Sequence, residues 1–161
     1  MNHRLSPARH REDGSEVGPV PALPMFIVGV GASAGGLEAL ESLFGHVRPN
    51  LGISYVVVQH LSPDFKSMMV ELLGRHTKLR VVEIEDGSSP QQNCIHLVGP
   101  KSLVALRDGV FRLMERDGTR LPFPINLFLT SLAEQQGDQC AAVILSGTGT
   151  DGTHGSRVIK E

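Results

Sequence analysis

A hydroxyl, an imidazole and a carboxylate stand at three points of this chain where acyl-transfer chemistry would need them: Ser33, His60 and Asp151. Ser33 lies in Phe26-Ile-Val-Gly-Val-Gly-Ala-Ser-Ala-Gly-Gly36, where Gly31 and Gly35 complete a G-x-S-x-G pattern. Such a pattern sets a serine on a sharp strand-to-helix turn, with its hydroxyl aimed out from the end of a sheet. The helix behind the turn offers free N–H groups and a positive dipole end, which would stabilise the oxyanion of a tetrahedral intermediate. His60 follows a second apolar run and could take the serine proton. Asp151, in Gly147-Thr-Gly-Thr-Asp-Gly152, could accept a bond from the imidazole and hold its tautomer. The order Ser, His, Asp differs from the Ser, Asp, His order of α/β-hydrolases. That excludes the superfamily but not the chemistry, because triads are defined by geometry.

The same glycine-rich stretch admits other readings. Gly29-Val-Gly-Ala-Ser-Ala34 also fits the dinucleotide pattern G-x-G-x-x-A. That fold wants an acidic residue at the end of its second strand to hold a ribose hydroxyl, where this chain has Gln59-His60. A bland tight turn fits too, since short glycine patterns are weak evidence. The partners have plain readings of their own: a lone histidine is commonly a surface residue, and Asp-Gly is a common turn pair. His60 stands out by position. His3, His10 and His46 fall in tail or helix-end sequence, His76 past a helix, His96 within a strand and His154 in the last loop.

At 161 residues the chain reads as one domain with a substantial core. The net charge of −2, the absence of Trp and the single tyrosine, Tyr55, argue against nucleic acid as a partner. No apolar run approaches the roughly 18 residues of a membrane span, so no membrane insertion is expected. Met1–Glu16 is too polar for a signal core. Cys94 and Cys140 have no metal-ligand spacing and read as two reduced thiols in a cytoplasmic protein. No metal site and no cofactor is indicated.

The elements that must position the site follow from periodicity. Residues 1–24, with Pro7, Pro19, Pro21 and Pro24, read as a disordered tail or linker, and 25–161 as the folded domain. Apolar runs predict strands at Phe26–Val30, Ile53–Gln59, Leu79–Ile84, Cys94–Val98 and Ala141–Leu145. Helical spacing predicts helices over Gly36–Val47, Pro63–Arg75 and Ile125–Gln136, with the opening of another at Ser156–Glu161. Ser62 would cap the second helix, with Pro63 at its first position. Arg107-Asp108-Gly109 signals a hairpin between Leu103–Leu106 and Val110–Met114. The fold class is therefore α/β: a doubly wound, mainly parallel sheet with helices on both faces and a β-hairpin insertion. In such sheets ligands bind at the carboxyl ends of strands, where Ser33, His60 and Asp151 all fall.

Taken together, Gly31-Ala-Ser-Ala-Gly-Gly36, Val58-Gln-His-Leu-Ser-Pro63 and Ile144-Leu-Ser-Gly-Thr-Gly-Thr-Asp-Gly152 resemble the catalytic domain of the chemotaxis protein-glutamate methylesterases, the CheB type. The three motifs occur in the family's order and at similar separations, over about Phe26–Glu161. The resemblance implies Ser33 as nucleophile, His60 as base and Asp151 as the group orienting it. It implies oxyanion and substrate-positioning roles for backbone at Ala34, Gly35, Thr148 and Gly149. It further implies demethylation of glutamate methyl esters on the cytoplasmic helices of chemoreceptors, deamidation of certain glutamines, and no metal or organic cofactor.

Departures from the common pattern refine the expectation. Ala34 stands where stand-alone methylesterases commonly carry Thr, and Thr148 where they carry Met. This form resembles the version in fusions of methylesterase, methyltransferase and sensor-kinase modules, which would then be companions of this domain. The segment before Phe26 is too short to hold a receiver domain. The family continues beyond the position matching Glu161, so the domain is expected to be incomplete at its C-terminus. The competing class is a regulatory or binding module that keeps the fold without turning over substrate.

Overall fold

The computed structural model describes residues 25–33, 36–60, 68–116, 123–145 and 149–161. The elements in chain order are β1 (Ile27–Ala32), α1 (Leu37–His46), β2 (Ser54–Gln59), α2 (Met69–Gly74), β3 (Arg80–Glu83) and β4 (Cys94–Leu97). There follow β5 (Ser102–Arg107), β6 (Val110–Glu115), α3 (Pro124–Gln136), a 3-10 turn (Gly137–Gln139), β7 (Cys140–Ile144) and α4 (Thr153–Lys160). Five strands form one sheet in the order β3-β4-β2-β1-β7, and β5 and β6 form a separate antiparallel hairpin. Every pairing within the large sheet is parallel.

Parallel strands covered on both faces must be apolar on both, and β1 and β2 show how. Val30, Ala32, Tyr55 and Val57 face one side, where Leu40 and Phe44 of α1 and Met69 and Leu73 of α2 cover them. Ile27, Val56 and Val58 face the other, against Ile125, Phe128, Leu129 and Leu132 of α3 and Val104, Leu106 and Phe111 of the hairpin. Leu40 and Phe44 are wholly buried, each contributing about 1.5–3 kcal/mol relative to exposure. The sheet is thus wound on both faces, as the alternation of elements predicts, and the hairpin widens the α3 layer.

Several expectations need revision. β1 runs on to Ala32 instead of ending at Val30, so Gly31 joins Gly29 inside the strand, and a Cβ on Gly29 would come within 2.5 Å of Leu129 Cδ2. These glycines let α3 sit close on the strand and are not free to cradle a phosphate, so the dinucleotide reading loses its motif. The last helix begins at Thr153, three residues before the expected Ser156. The expected tail at 1–24 and the expected helix start at Ser62-Pro63 lie outside the described residues.

Candidate active site

β1 and β2 are paired in register to their ends, with Ala32 opposite Gln59. Each runs out at the same rim of the sheet, and the residues just past them are Ser33 and His60. His60 N donates to the Ala32 carbonyl at 3.2 Å, which ties the two exits together. β7 lies on the other side of β1, and Leu145 N donates to the Gly31 carbonyl at 2.8 Å. The loop after β7 therefore returns to the same rim and carries Asp151. The chain leaves β1 by a tight turn in which Gly36 N donates to the Ser33 carbonyl at 2.9 Å. A Cβ on Gly36 would lie 2.8 Å from that of Ala32, so the turn requires glycine there.

Ser33, His60 and Asp151 line one cavity of about 60 Å³, with Ala32, Ile125, Ile144, Leu145 and Gly149 as the remaining wall. His60 Nε2 lies 2.8 Å from Asp151 Oδ2, across 91 residues of sequence. The imidazole is 37% exposed and the carboxylate 7%, so one end of the pair is open to solvent and the other is enclosed. Asp151 is fixed from behind by the start of α3: Ile125 N donates to Oδ2 at 3.0 Å and Asn126 N to Oδ1 at 2.9 Å. Pro124 occupies the first helical turn and has no N–H, and no side chain caps this helix locally. The carboxylate thus satisfies helix-end amides that otherwise lack partners, where the helix dipole also favours a negative charge.

Nε2 is thus the ring nitrogen turned to Asp151, and Nδ1 is the other. Among the described residues no hydrogen bond joins Ser33 Oγ to the ring. Catalytic hydrogen bonds are commonly long in unliganded sites and tighten with substrate. Of the expected oxyanion and substrate-positioning residues, Gly149 lines the cavity. Ala34, Gly35 and Thr148 lie outside the described residues.

Sequence reasoning passed over Ile125 and Ile144, whose side chains make the apolar wall, and the Asn126 amide. The Pro at the start of α3 was the available signal, since it marks a helix N-terminus. A larger cavity, about 370 Å³, lies among Arg48, Arg75, His76 and Lys78. It sits where α1 and α2 end, and cations placed there complement helix C-terminal dipoles. Its lining holds no nucleophile paired with a base. Among the described residues no cluster of His, Cys, Asp and Glu could hold a metal ion, and Cys94 and Cys140 are both free thiols. No helix there is long and apolar enough to cross a membrane.

The sequence model of the CheB methylesterase family matches residues 28–161. This chain belongs to that family. A protein-glutamate methylesterase/protein-glutamine glutaminase of Anaeromyxobacter dehalogenans is 32% identical over 155 residues, 95% of this chain and 44% of that protein. An uncharacterized 104.1 kDa protein of Rhodobacter capsulatus is 41% identical over 87 residues, 54% of this chain and 9% of that protein. The chain spans less than half the length of either relative. The crystal structure of the Thermotoga maritima CheB methylesterase catalytic domain superposes with a TM-score of 0.77 at 29% identity, covering 86% of this chain and 76% of that one. The doubly wound parallel sheet is accordingly the CheB catalytic fold.

Proposed function

We propose that the chain is a serine hydrolase that demethylates glutamate methyl esters on chemoreceptor proteins and deamidates glutamines at such sites. The observation that carries this reading is the His60–Asp151 hydrogen bond, formed over a small cavity that Ser33 also lines. The names of the CheB relatives, protein-glutamate methylesterase/protein-glutamine glutaminase, agree with it.

In this reading Ser33 Oγ attacks the ester carbonyl and its proton passes to His60 Nδ1. Asp151 accepts from Nε2–H, holds the tautomer and stabilises the imidazolium as it forms. The oxyanion is held by backbone N–H groups near Ala34, Gly35, Thr148 and Gly149, each worth about 3 kcal/mol if aimed at the developing charge. The imidazolium returns the proton to the leaving oxygen and methanol departs; for an amide, ammonia departs. Water then attacks the acyl-enzyme, gives a proton to His60, and the glutamate carboxylate and Ser33 hydroxyl are restored. The narrow wall of Ile125 and Ile144 suits a leaving group as small as methoxy. The partners are methylated chemoreceptor helices, with methyltransferase or sensor-kinase modules as companions in cytoplasmic two-component signalling.

A fluorophosphonate probe tests the reading directly. The chain should label, Ser33→Ala should not, and methanol release from a methylated receptor should vanish with the same substitution. Labelling that survives Ser33→Ala, or a chain that neither labels nor releases methanol, overturns it.

A further inference from the structure

α3 and α4 each begin without a cap of their own. α3 starts behind Phe123, whose side chain accepts nothing, and α4 starts behind Gly152, which has none and adopts a φ of 95°. Their amides are satisfied by exchange. Asp151, the residue before Gly152, takes the N–H groups of Ile125 and Asn126. The Asn126 side chain takes two in return: Gly152 N at 3.0 Å and Gly155 N at 2.9 Å both donate to its Oδ1. Asn126 therefore holds this segment twice, by its own N–H to the Asp151 carboxylate and by its side chain to the two glycine amides that follow.

The close approach this needs is built into the sequence. A Cβ on Gly155 would fall 2.6 Å from that of Leu129 and 3.2 Å from the Asn126 Cα and carbonyl oxygen. A Cβ on Gly152 would fall 2.8 Å from Ile144 Cδ1. Glycine at both positions lets the loop reach Asn126. The carboxylate has its lone pairs assigned: Oδ1 serves Asn126 N, and Oδ2 is shared between Ile125 N and His60 Nε2.

We infer that Asn126 is the positioning residue that holds Asp151 against His60, acting through the loop at Gly152 and Gly155 rather than on substrate. For catalysis this rests on the Ser-His-Asp reading above; for the geometry it does not. Without the Asn126 side chain, two amides at the head of α4 lose their acceptor and the loop is released. A misplacement of about 1 Å at a catalytic group, even one caused from a distance, can lower the rate by roughly 10²-fold. Asp at this position keeps an oxygen acceptor for both amides but adds a second negative charge near the Asp151 carboxylate, so it should hold the loop while recovering only part of the turnover.

The experiment compares Asn126→Ala and Asn126→Asp in the full chain, each checked for folding by circular dichroism and assayed below its melting temperature. In proton NMR, the His60 ring N–H bonded to Asp151 should give a solvent-protected signal in the parent, lose it in Asn126→Ala and recover it in Asn126→Asp. In turnover, Asn126→Ala should lower kcat by up to roughly 10²-fold with KM within about twofold, and Asn126→Asp should recover part of that loss. Adding Asn126→Ala to Asp151→Ala should lower kcat no further. The inference is overturned by a protected ring signal unchanged in folded Asn126→Ala, by failure of Asn126→Asp to restore it, or by full additivity with Asp151→Ala. An inactive parent with the ring signal behaving as stated would sink the esterase reading alone.

Discussion

Gly31 and Ile125 touch across the interface of β1 and α3: a Cβ on Gly31 would lie 2.7 Å from Ile125 Cγ2 and 3.0 Å from Ile144 Cδ1. Ile125 is also the residue whose amide holds Asp151 Oδ2 and whose side chain walls the cavity. A glycine that belongs to a serine motif in sequence is, in the fold, the seat on which the carboxylate's helix rests.

Gly31→Ala should therefore damage stability and turnover together. Ile125 is buried, so the added methyl must push it within a packed core, a displacement that typically costs about 1–3 kcal/mol. The same push moves the first amides of α3, and Asp151 with them. Thermal melts should show a lowered Tm, and kcat measured well below that Tm should fall as well. Stability lost with kcat unchanged would mean that Ile125 can yield without carrying Asp151.

A substitution on the same helix should separate the two properties. Ser131 is buried, donates its hydroxyl to the Phe128 carbonyl at 2.8 Å and accepts Leu106 N of the hairpin at 2.9 Å. Ser131→Ala leaves the Leu106 amide buried without an acceptor, a loss of about 1–3 kcal/mol. It lies five residues, roughly one and a half helical turns, beyond Asn126, and its bonds run to Phe128 and Leu106 rather than to Asp151, so kcat should hold. Urea unfolding should show the midpoint shifted down, and an unchanged midpoint would mean that water reaches the amide.

What the sequence disclosed and what it withheld divide along local and distant causes. The apolar runs of β1 and β2 are legible because both faces of each strand are covered; that of β7, a half-buried edge strand, is legible from its residue types alone. The hairpin is legible because Asp108 and Gly109 adopt the positive φ, 52° and 75°, that Asp-Gly turns supply. The head of α4 is not legible, because its amides are satisfied by Asn126, 26 and 29 residues away, and no nearby residue announces a cap. Gly29 and Gly31 mislead for the converse reason. Their motif spacing is local, but what makes them glycine is α3, a hundred residues on. Ser33, His60 and Asp151 could be named from their types and strand-end positions. Which ring nitrogen faces the carboxylate, and that the carboxylate doubles as a helix cap, required the fold.

His96 yields a pH dependence with a definite sign. The side chain is 3% exposed in β4, its ring packs against Phe111 with centroids 5.2 Å apart, and its Nε2 accepts Gln91 N at 3.0 Å. An acceptor nitrogen is an unprotonated one, so the fold holds the neutral ring with its proton on Nδ1. Burial pushes its pKa below the ordinary 6.5, and the Arg80 charge acts weakly in the same direction. Between that lowered value and 6.5 the unfolded chain binds the proton and the folded chain does not, so stability rises with pH across the window. The contribution is complete above pH 6.5 and is lost as pH falls through the folded value. One proton limits the slope to about 1.4 kcal/mol per pH unit. Urea unfolding at pH 7.5, 6.5 and 5.5 should show the parent weakening toward acid. His96→Gln places an amide oxygen near the Nε2 position without a titrating proton, and the other histidines are common to both proteins. The variant should therefore lose less stability than the parent between pH 6.5 and 5.5. Parallel pH profiles would show that His96 accepts its proton inside the fold at no cost, and that the Gln91 amide can turn away to admit it.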